Sequence, residues 1–281
     1  MSRQPKLRRK MRPAAAFVAL GKSGLRAIDE RLDALQQRDE VEDVHELRVA
    51  VRHLRAVTWA FGPLLPGQVK ARWKQTLHDV ADAAGTVRDW DVFIAETLAP
   101  ALMEQPEDPV LVALIQTVQA RRTRAHAEMM TRLSRYRQAP LPTLKRDLQH
   151  LSEQRAKMAG NEHAKGRLES FAPRRIRQAR GKVRELARIA RDGQTAHIHK
   201  LRIGNKRLRY AIEALSEVLP NRYRKRLRKK LVARQSELGA VIDGAVARRL
   251  MCECLSVDPS TLPATLSATL PSTHRSTSPQ A

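Results

Sequence analysis

The 281-residue chain carries 53 Lys and Arg against 29 Asp and Glu, a formal net charge of +24 at pH 7. Its 42% hydrophobic content suffices for a core and excludes a wholly disordered basic tail, while 4% aromatic residues argues against base stacking on exposed rings. Two cysteines, Cys252 and Cys254, exclude a disulfide framework or a four-cysteine zinc site, and no apolar run approaches the roughly 18 residues of a membrane span. The composition predicts a soluble, cytoplasmic protein whose partner is a polyanion.

In chain order, residues 1–12 form a basic N-terminal arm. Ala14 to Leu20 is a short apolar run that lacks a convincing cleavage site and continues through Leu25, Ile28, Leu32 and Leu35 at helical spacing. That pattern reads as the first helix of the fold, not as a signal peptide. Residues 13–255 read as helix throughout, rich in Ala, Leu, Arg, Glu and Gln and without alternating strand patterns. Breaks are expected at Gly62-Pro63, Pro66-Gly67, Pro106 to Pro109, Pro140 and Pro142, near Pro173, and at Pro220-Asn221. They delimit about eight antiparallel helices joined by short turns. In residues 256–281, 15 of 26 are Ser, Thr or Pro, so this stretch is expected to be a disordered tail.

The segment from Val44 to Arg55, Val-His-Glu-Leu-Arg-Val-Ala-Val-Arg-His-Leu-Arg, has a second copy from Ile198 to Arg209, Ile-His-Lys-Leu-Arg-Ile-Gly-Asn-Lys-Arg-Leu-Arg. The offset of 154 residues also pairs Gly85, Val87, Asp89 and Val92 with Gly239, Val241, Asp243 and Val246. It pairs Arg26 with Arg180, Arg72 with Arg226, Lys74 with Arg228, and Leu77 with Leu231. One ungapped offset held over this span is the mark of duplication. The predicted fold class is all-α: duplicated antiparallel helical bundles related by a pseudo-two-fold axis, with a basic central cavity. Half one spans about 13–138, a connecting helix about 140–165, and half two about 167–255.

At 100° per residue, His45, Arg48, Arg52 and Arg55 share an arc of about 80°. Leu47, Val51, Leu54 and Thr58 border it on one side, Val49 and Ala56 on the other. His199, Arg202, Lys206 and Arg209 behave alike, between Leu201 and Leu208 on one side and Ile203 and Tyr210 on the other. Glu46, His53, Lys200 and Arg207 point elsewhere and are read as the solvent side. A run of arginines is ordinarily a solvated face. Apolar borders on both sides of a stripe that contains no acid, present twice, turn these stripes inward instead. Unpartnered arginines in a dry core would be very costly, so a water-filled groove that holds an anion is expected. His45 and His199 are read as anion contacts, with no second ligand at metal spacing on their face. Asp89 and Asp243 are read as holding motif arginines, and Arg121, Arg122, Arg124 and Arg222 to Lys230 as surface charge.

The two His-x-Leu-Arg-[Val/Ile]-x-x-[Arg/Lys]-x-Leu-Arg segments resemble the signature of the CHAD family, the conserved histidine α-helical domain. Gly-x-Val-Arg-Asp-x-Asp-Val from Gly85 to Val92 is similar to that family's next segment. The resemblance covers about residues 13–255. It implies two helical bundles about a pseudo-two-fold axis, basic helices lining a central cavity, binding of inorganic polyphosphate, and, for some members, location on polyphosphate granules. By motif position the implied contacts are His45, Arg48, Arg52, Arg55, His199, Arg202, Lys206 and Arg209. Arg26, Arg72, Lys74, Arg180, Arg226 and Arg228 are basic and repeat-matched, and form a secondary set. Position 53 is His where the family often has another basic residue, and position 205 is Asn in an otherwise apolar place.

The expected function is therefore non-enzymatic polyphosphate binding, without catalytic residues, cofactor, metal or membrane partner. Relatives often carry an N-terminal triphosphate-tunnel catalytic domain, for which this chain has no room. A nucleic-acid binder is the first rival, although neither aromatic platforms nor a base-reading helix is visible. A phosphate-transfer enzyme would need carboxylates beside the arginines, and the arcs contain none. A granule scaffold that recruits other proteins is the third.

Overall fold

The structure, a computed structural model, describes residues 5–153 and 166–255, with side chains outside the description at 236–243 and 245. Helices α1 (Pro13–Gln37), α2 (Val41–Phe61), α3 (Gly67–Ala83), α4 (Gly85–Phe93), α5 (Ala99–Glu104), α6 (Pro109–Gln138) and α7 (Pro140–Glu153) precede the gap. Helices α8 (Leu168–Ile189), α9 (Thr195–Ala214) and α10 (Arg228–Leu255) follow it. No strand occurs among the described residues, so the fold is all-α. The expected tail at 256–281 and the end of the connecting helix at 154–165 lie outside the described residues.

Prolines sit where helices tolerate them. Pro13, Pro109 and Pro140 open α1, α6 and α7, where the missing N–H has no partner to lose. Asp108 caps α6, accepting from the Val110 and Leu111 amides at 2.8 and 3.3 Å. Two expected breaks fall differently. Pro173 lies inside α8, one turn and a half from its start, and Pro142 lies in the first turns of α7. The turn from α8 to α9 uses Gly193 at φ 74, a left-handed conformation that needs no Cβ there.

Element boundaries follow the sequence repeat. Helix α1 corresponds to α8, α2 to α9, and the 3-10 turn Gly62–Leu64 to Ser216–Val218. The halves then diverge. A boundary at Ala84 separates α3 from α4, whereas α10 runs unbroken through the matching position.

The aromatic residues are concentrated in the core. Phe17 of α1 lies 5.8 Å from Phe61 of α2 and 5.3 Å from Trp73 of α3, and Phe61 stacks on Phe171 of α8 at 5.3 Å. This row joins the two repeats directly, and all four rings are at most 2% exposed. Arg175 of α8 adds a polar link, donating to the Ala60 and Trp59 carbonyls at 2.8 and 3.0 Å. These carbonyls lie in the last turn of α2, where Trp59 O also accepts from the Gly62 amide and a cation meets the negative end of the helix dipole. The basic segment before α1 lies against the second repeat: the Leu168 amide donates to Met11 O at 2.8 Å, and the Leu7 amide donates to the Glu217 carboxylate.

Helix α7 packs on the first repeat, with Leu148 against Gly21 of α1. Its Asp147 accepts from Arg72 Nε at 3.0 Å, Arg72 Nη2 at 2.5 Å and Trp73 Nε1 at 3.0 Å. The indole is fully buried and cannot exchange this partner for water, whereas Arg72 keeps an exposed guanidinium. Asp147→Ala should therefore lower the unfolding free energy by about 1–3 kcal/mol, and Arg72→Ala by under about 1 kcal/mol. Urea denaturation reads both, and equal losses would contradict the assignment of the cost to Trp73.

Candidate basic site between paired helices

Helices α2 and α9 pack on each other and bring the two repeated motifs face to face. Both are held in place from behind. Leu47, Val51 and Leu54 of α2, and Leu201 and Leu208 of α9, are buried at 6% exposure or less. Arg38 bonds the buried Asp43 at 2.6 and 3.2 Å, fastening the start of α2, and Glu46 pairs with Arg31 of α1 at 2.5 Å.

The basic residues of α2 are half-buried: His45, Arg48, Arg52 and Arg55. Burial lowers the pKa of Arg52; the Tyr210 hydroxyl opposes the fall, and Arg209, Arg88 and Arg202 add to it. These residues come from α2, α4 and α9, so the cations of three helices converge. Arg52 lies over the Tyr210 ring at 5.7 Å and Arg209 at 4.3 Å. The Nε atoms of Arg52 and Arg209 are buried without a hydrogen-bond partner. Arg48 is lowered by burial, with Asp89 opposing and Arg52, Arg88 and Arg55 contributing. Its Nη1 donates to Ala81 O at 3.3 Å, at the end of α3, and a Cβ at Gly85 would stand 3.2 Å from that nitrogen. Gly85 thus makes room for the guanidinium. Asp89 takes a 3.4 Å bond from Arg249 as well as its interaction with Arg48, while the Asp243 side chain lies outside the description.

Contacts across the helix pair are exchanged between the repeats. His53 Nε2 lies 4.0 Å from Glu213, and the matching pair, Arg207 and Trp59, has the guanidinium 5.9 Å from the ring. Arg209 acts electrostatically on His53, and Arg207 acts likewise on Arg55. The helical wheel reads His53 and Arg207 as solvent-side residues; the structure corrects this for His53, which is half-buried, while Arg207 is exposed as expected and reaches the partner helix along its flank. His53 packs edge-on against Tyr210 at 4.6 Å, and the Arg207 guanidinium lies 5.9 Å from the Trp59 ring, which Arg175 also approaches at 5.0 Å. The wheel gives direction about one axis only. A partner helix that crosses closely also reaches residues on the flank of the stripe. Lys200 is exposed as expected.

The expected residues are thus partly assembled. Arg52 meets Arg202 and Arg209 across the helix pair, His45 and Arg48 gather around Arg52 and Arg88, Arg55 faces Arg207, and Lys206 is half-buried on α9. His199 is exposed at the start of α9. Of the secondary set, Arg26, Lys74, Arg180 and Arg226 are exposed, Arg72 is committed to Asp147, and Arg228 donates to Glu213 at 3.1 Å. Sequence reasoning missed Arg88. It lies in the Gly85–Val92 segment, but its repeat partner is Ile242, so a search for basic residues present twice discards it. Arg122, read as surface charge, is instead clamped between Asp91 at 3.1 Å and Asp39 at 2.6 Å with its side chain 13% exposed. Among the described residues no three His, Cys, Asp or Glu gather as a metal site, and no helix is long and apolar enough to cross a membrane.

An all-α protein in which two basic helices of a sequence repeat face each other is the class that fold and site define. The CHAD domain family model matches residues 22–252, and the chain belongs to that family. The crystal structure of the CHAD domain from the plant Ricinus communis is similar in fold, with a TM-score of 0.75 at 24% identity. The alignment covers 96% of this chain and 87% of that one. No curated protein matches the chain.

His45 and His53 both lie below their ordinary pKa. Burial is the first cause for each, followed for His45 by Arg88 and Arg52. For His53, Glu213 opposes the fall and Arg209 and Arg52 add to it. The folded state therefore takes up these protons less readily than the unfolded chain. As pH falls below about 6.5 the unfolded chain binds more protons, and stability declines. Thermal melts of the free protein between about pH 7.5 and 5.5 should show a falling midpoint, less steep in His45→Asn; an unchanged slope would remove His45 as a contributor.

Proposed function

We propose that this protein binds inorganic polyphosphate, without catalysis, along the basic face where α2, α4 and α9 converge. The carrying observation is the crowding of half-buried Arg48, Arg52, Arg55, Arg88, Arg202 and Arg209, which act on one another's charge. Such a group is destabilised by its own repulsion and desolvation, and an anion relieves both. Guanidinium forks suit phosphate oxygens, and a chain of closely spaced phosphates engages several at once. His45, Lys206 and His199 extend the same face, and Arg26, Lys74, Arg180, Arg226 and Arg228 supply an outer field. The exchanged contacts of His53 with Glu213 and Arg207 with Trp59 support a pseudo-two-fold relation between the halves. Residence at polyphosphate granules in the cytoplasm is the cellular expectation of this reading.

Polyphosphate should outcompete duplex DNA per phosphate at about 0.15 M salt, because a flexible chain can bend to reach half-buried guanidinium groups that a stiff duplex cannot. Equal or stronger DNA binding would favour the nucleic-acid reading. Arg48→Ala with Arg52→Ala, and Arg202→Ala with Lys206→Ala, should each cost on the order of 2–4 kcal/mol of binding. A control, Arg124→Ala with Lys200→Ala, removes two exposed charges and should cost well under about 1 kcal/mol. Indistinguishable affinities among variants shown to be folded by circular dichroism would refute the inward site.

Bound phosphate favours the charged form of His45, which burial and Arg88 disfavour in the free protein. Affinity should rise as pH falls from about 8 to 6, with net proton uptake measured by calorimetry in buffers of different ionisation enthalpy. No uptake would remove the histidine from the contact.

A further inference from the structure

Glu213 continues the basic stripe of α9 one turn beyond Arg209, at the position matched in α2 by Trp59. Its Oε1 accepts from Arg209 Nη1 at 3.2 Å and from Arg228 Nε at 3.1 Å, and Oε2 faces His53 at 4.0 Å. The side chain is 18% exposed, so these are not fully solvated pairs. A carboxylate shared by two guanidinium groups occupies the place that phosphate oxygens would take. At the other end of the helix pair the equivalent residue is an indole. Arg55 and Arg207 there have no carboxylate within ion-pair distance among the described residues.

We propose that Glu213 is a built-in competitor of the ligand: it holds Arg209 and Arg228 in the free protein and is displaced by the phosphates that reach that end. This rests on the polyphosphate reading above. Two observations favour a competitor over a residue that positions Arg209 for binding. The Arg209 guanidinium is already placed 4.3 Å over the Tyr210 ring, and its buried Nε has no hydrogen-bond partner. Its location therefore does not rest on Glu213 alone, and the Nη1 that the carboxylate holds is the donor an incoming oxygen would take over. Displacement of a carboxylate that already makes two charge-assisted bonds demands an anion of high local charge. Glu213 thereby selects closely spaced phosphates over isolated ones.

The test is calorimetric titration of the full chain with long-chain polyphosphate and with inorganic tripolyphosphate at about 0.15 M salt. Glu213→Gln keeps size and an acceptor oxygen but loses the charge. It should bind on the order of five- to tenfold tighter, whereas Glu128→Gln, which removes an exposed charge on α6, should stay within about twofold. In an Arg228→Gln background the gain from Glu213→Gln should shrink, because one of the two freed cations is already gone. Weaker binding by Glu213→Gln would make it a positioning residue and overturn the proposal. So would a gain no larger than that of Glu128→Gln, which would reduce the effect to the overall field. Wild-type protein that prefers duplex DNA, with Glu213→Gln still tighter for both ligands, would overturn the polyphosphate reading and keep the competitor.

Discussion

The constraint on which this molecule depends is the gathering of like charge where two helices must pack. Arg48, Arg52, Arg55, Arg202 and Arg209 stand on the facing sides of α2 and α9, with Arg88 reaching in from α4. Helix packing demands the dry contact that charge resists. The chain meets the conflict locally. Arg48 leans on the carbonyl end of α3 and on Asp89, Arg209 lies between Tyr210 and Glu213, and Arg207 spreads over Trp59. What remains uncompensated is centred on Arg52 and Arg55, each lowered in pKa by burial and by another arginine. On the proposed reading, an anion arriving there would meet guanidinium groups already held in place, so little of its interaction would be lost to ordering side chains.

Such repulsion needs a stiff surround, and the structure provides one from both sides. The row Trp73, Phe17, Phe61 and Phe171 runs from α3 to α8 behind the site, and Arg175 fastens the end of α2 to α8. On the α4 side, Arg122 bridges Asp91 and Asp39. Burial raises the pKa of Asp91 against the opposing pull of Arg122 and Arg88. That clamp ties α6 to the short helix that carries Arg88. The few aromatic residues of this chain thus serve mainly as joints, which explains how a composition with 4% rings still makes a well-packed core.

Much of this was legible beforehand because helices report themselves through period and punctuation. The repeat at one offset pairs α1 with α8 and α2 with α9. The apolar borders of the first stripe go with half-buried cations, whereas in the second Ile203 and His199 are exposed. Other features depend on the path of a second helix, which no single-helix projection contains. His53 and Arg207 lie on the flank of their own stripes yet meet the partner helix. Arg72 reads as a secondary phosphate contact and Arg122 as surface charge until Asp147, Asp39 and Asp91 arrive from distant segments. Arg88 was lost through the filter of symmetry itself. Asn205, where the first copy has Val51, is fully buried with neither amide atom partnered, so the repeats also differ in the quality of their packing.

Those differences make the site unequal at its two ends. The α2 stripe runs out at an indole flanked by Arg175 and Arg207, whereas the α9 stripe runs out at a carboxylate gripped by Arg209 and Arg228. The first repeat contributes a basic residue from its short helix, Arg88, at a position where the second repeat has Ile242. A nucleic acid, whose strand has direction, would read such inequality as orientation. Inorganic polyphosphate is the same from either end, so on that reading inequality cannot orient it and acts on the order of contact instead. On the proposed reading, phosphates would settle first where cations face no carboxylate, around Arg52, Arg55 and Arg207. They would reach Arg209 only against the competition of Glu213. Chain length would then enter the binding energy through geometry, since a polymer long enough to span both ends brings the charge gathered at one to bear on the competitor at the other.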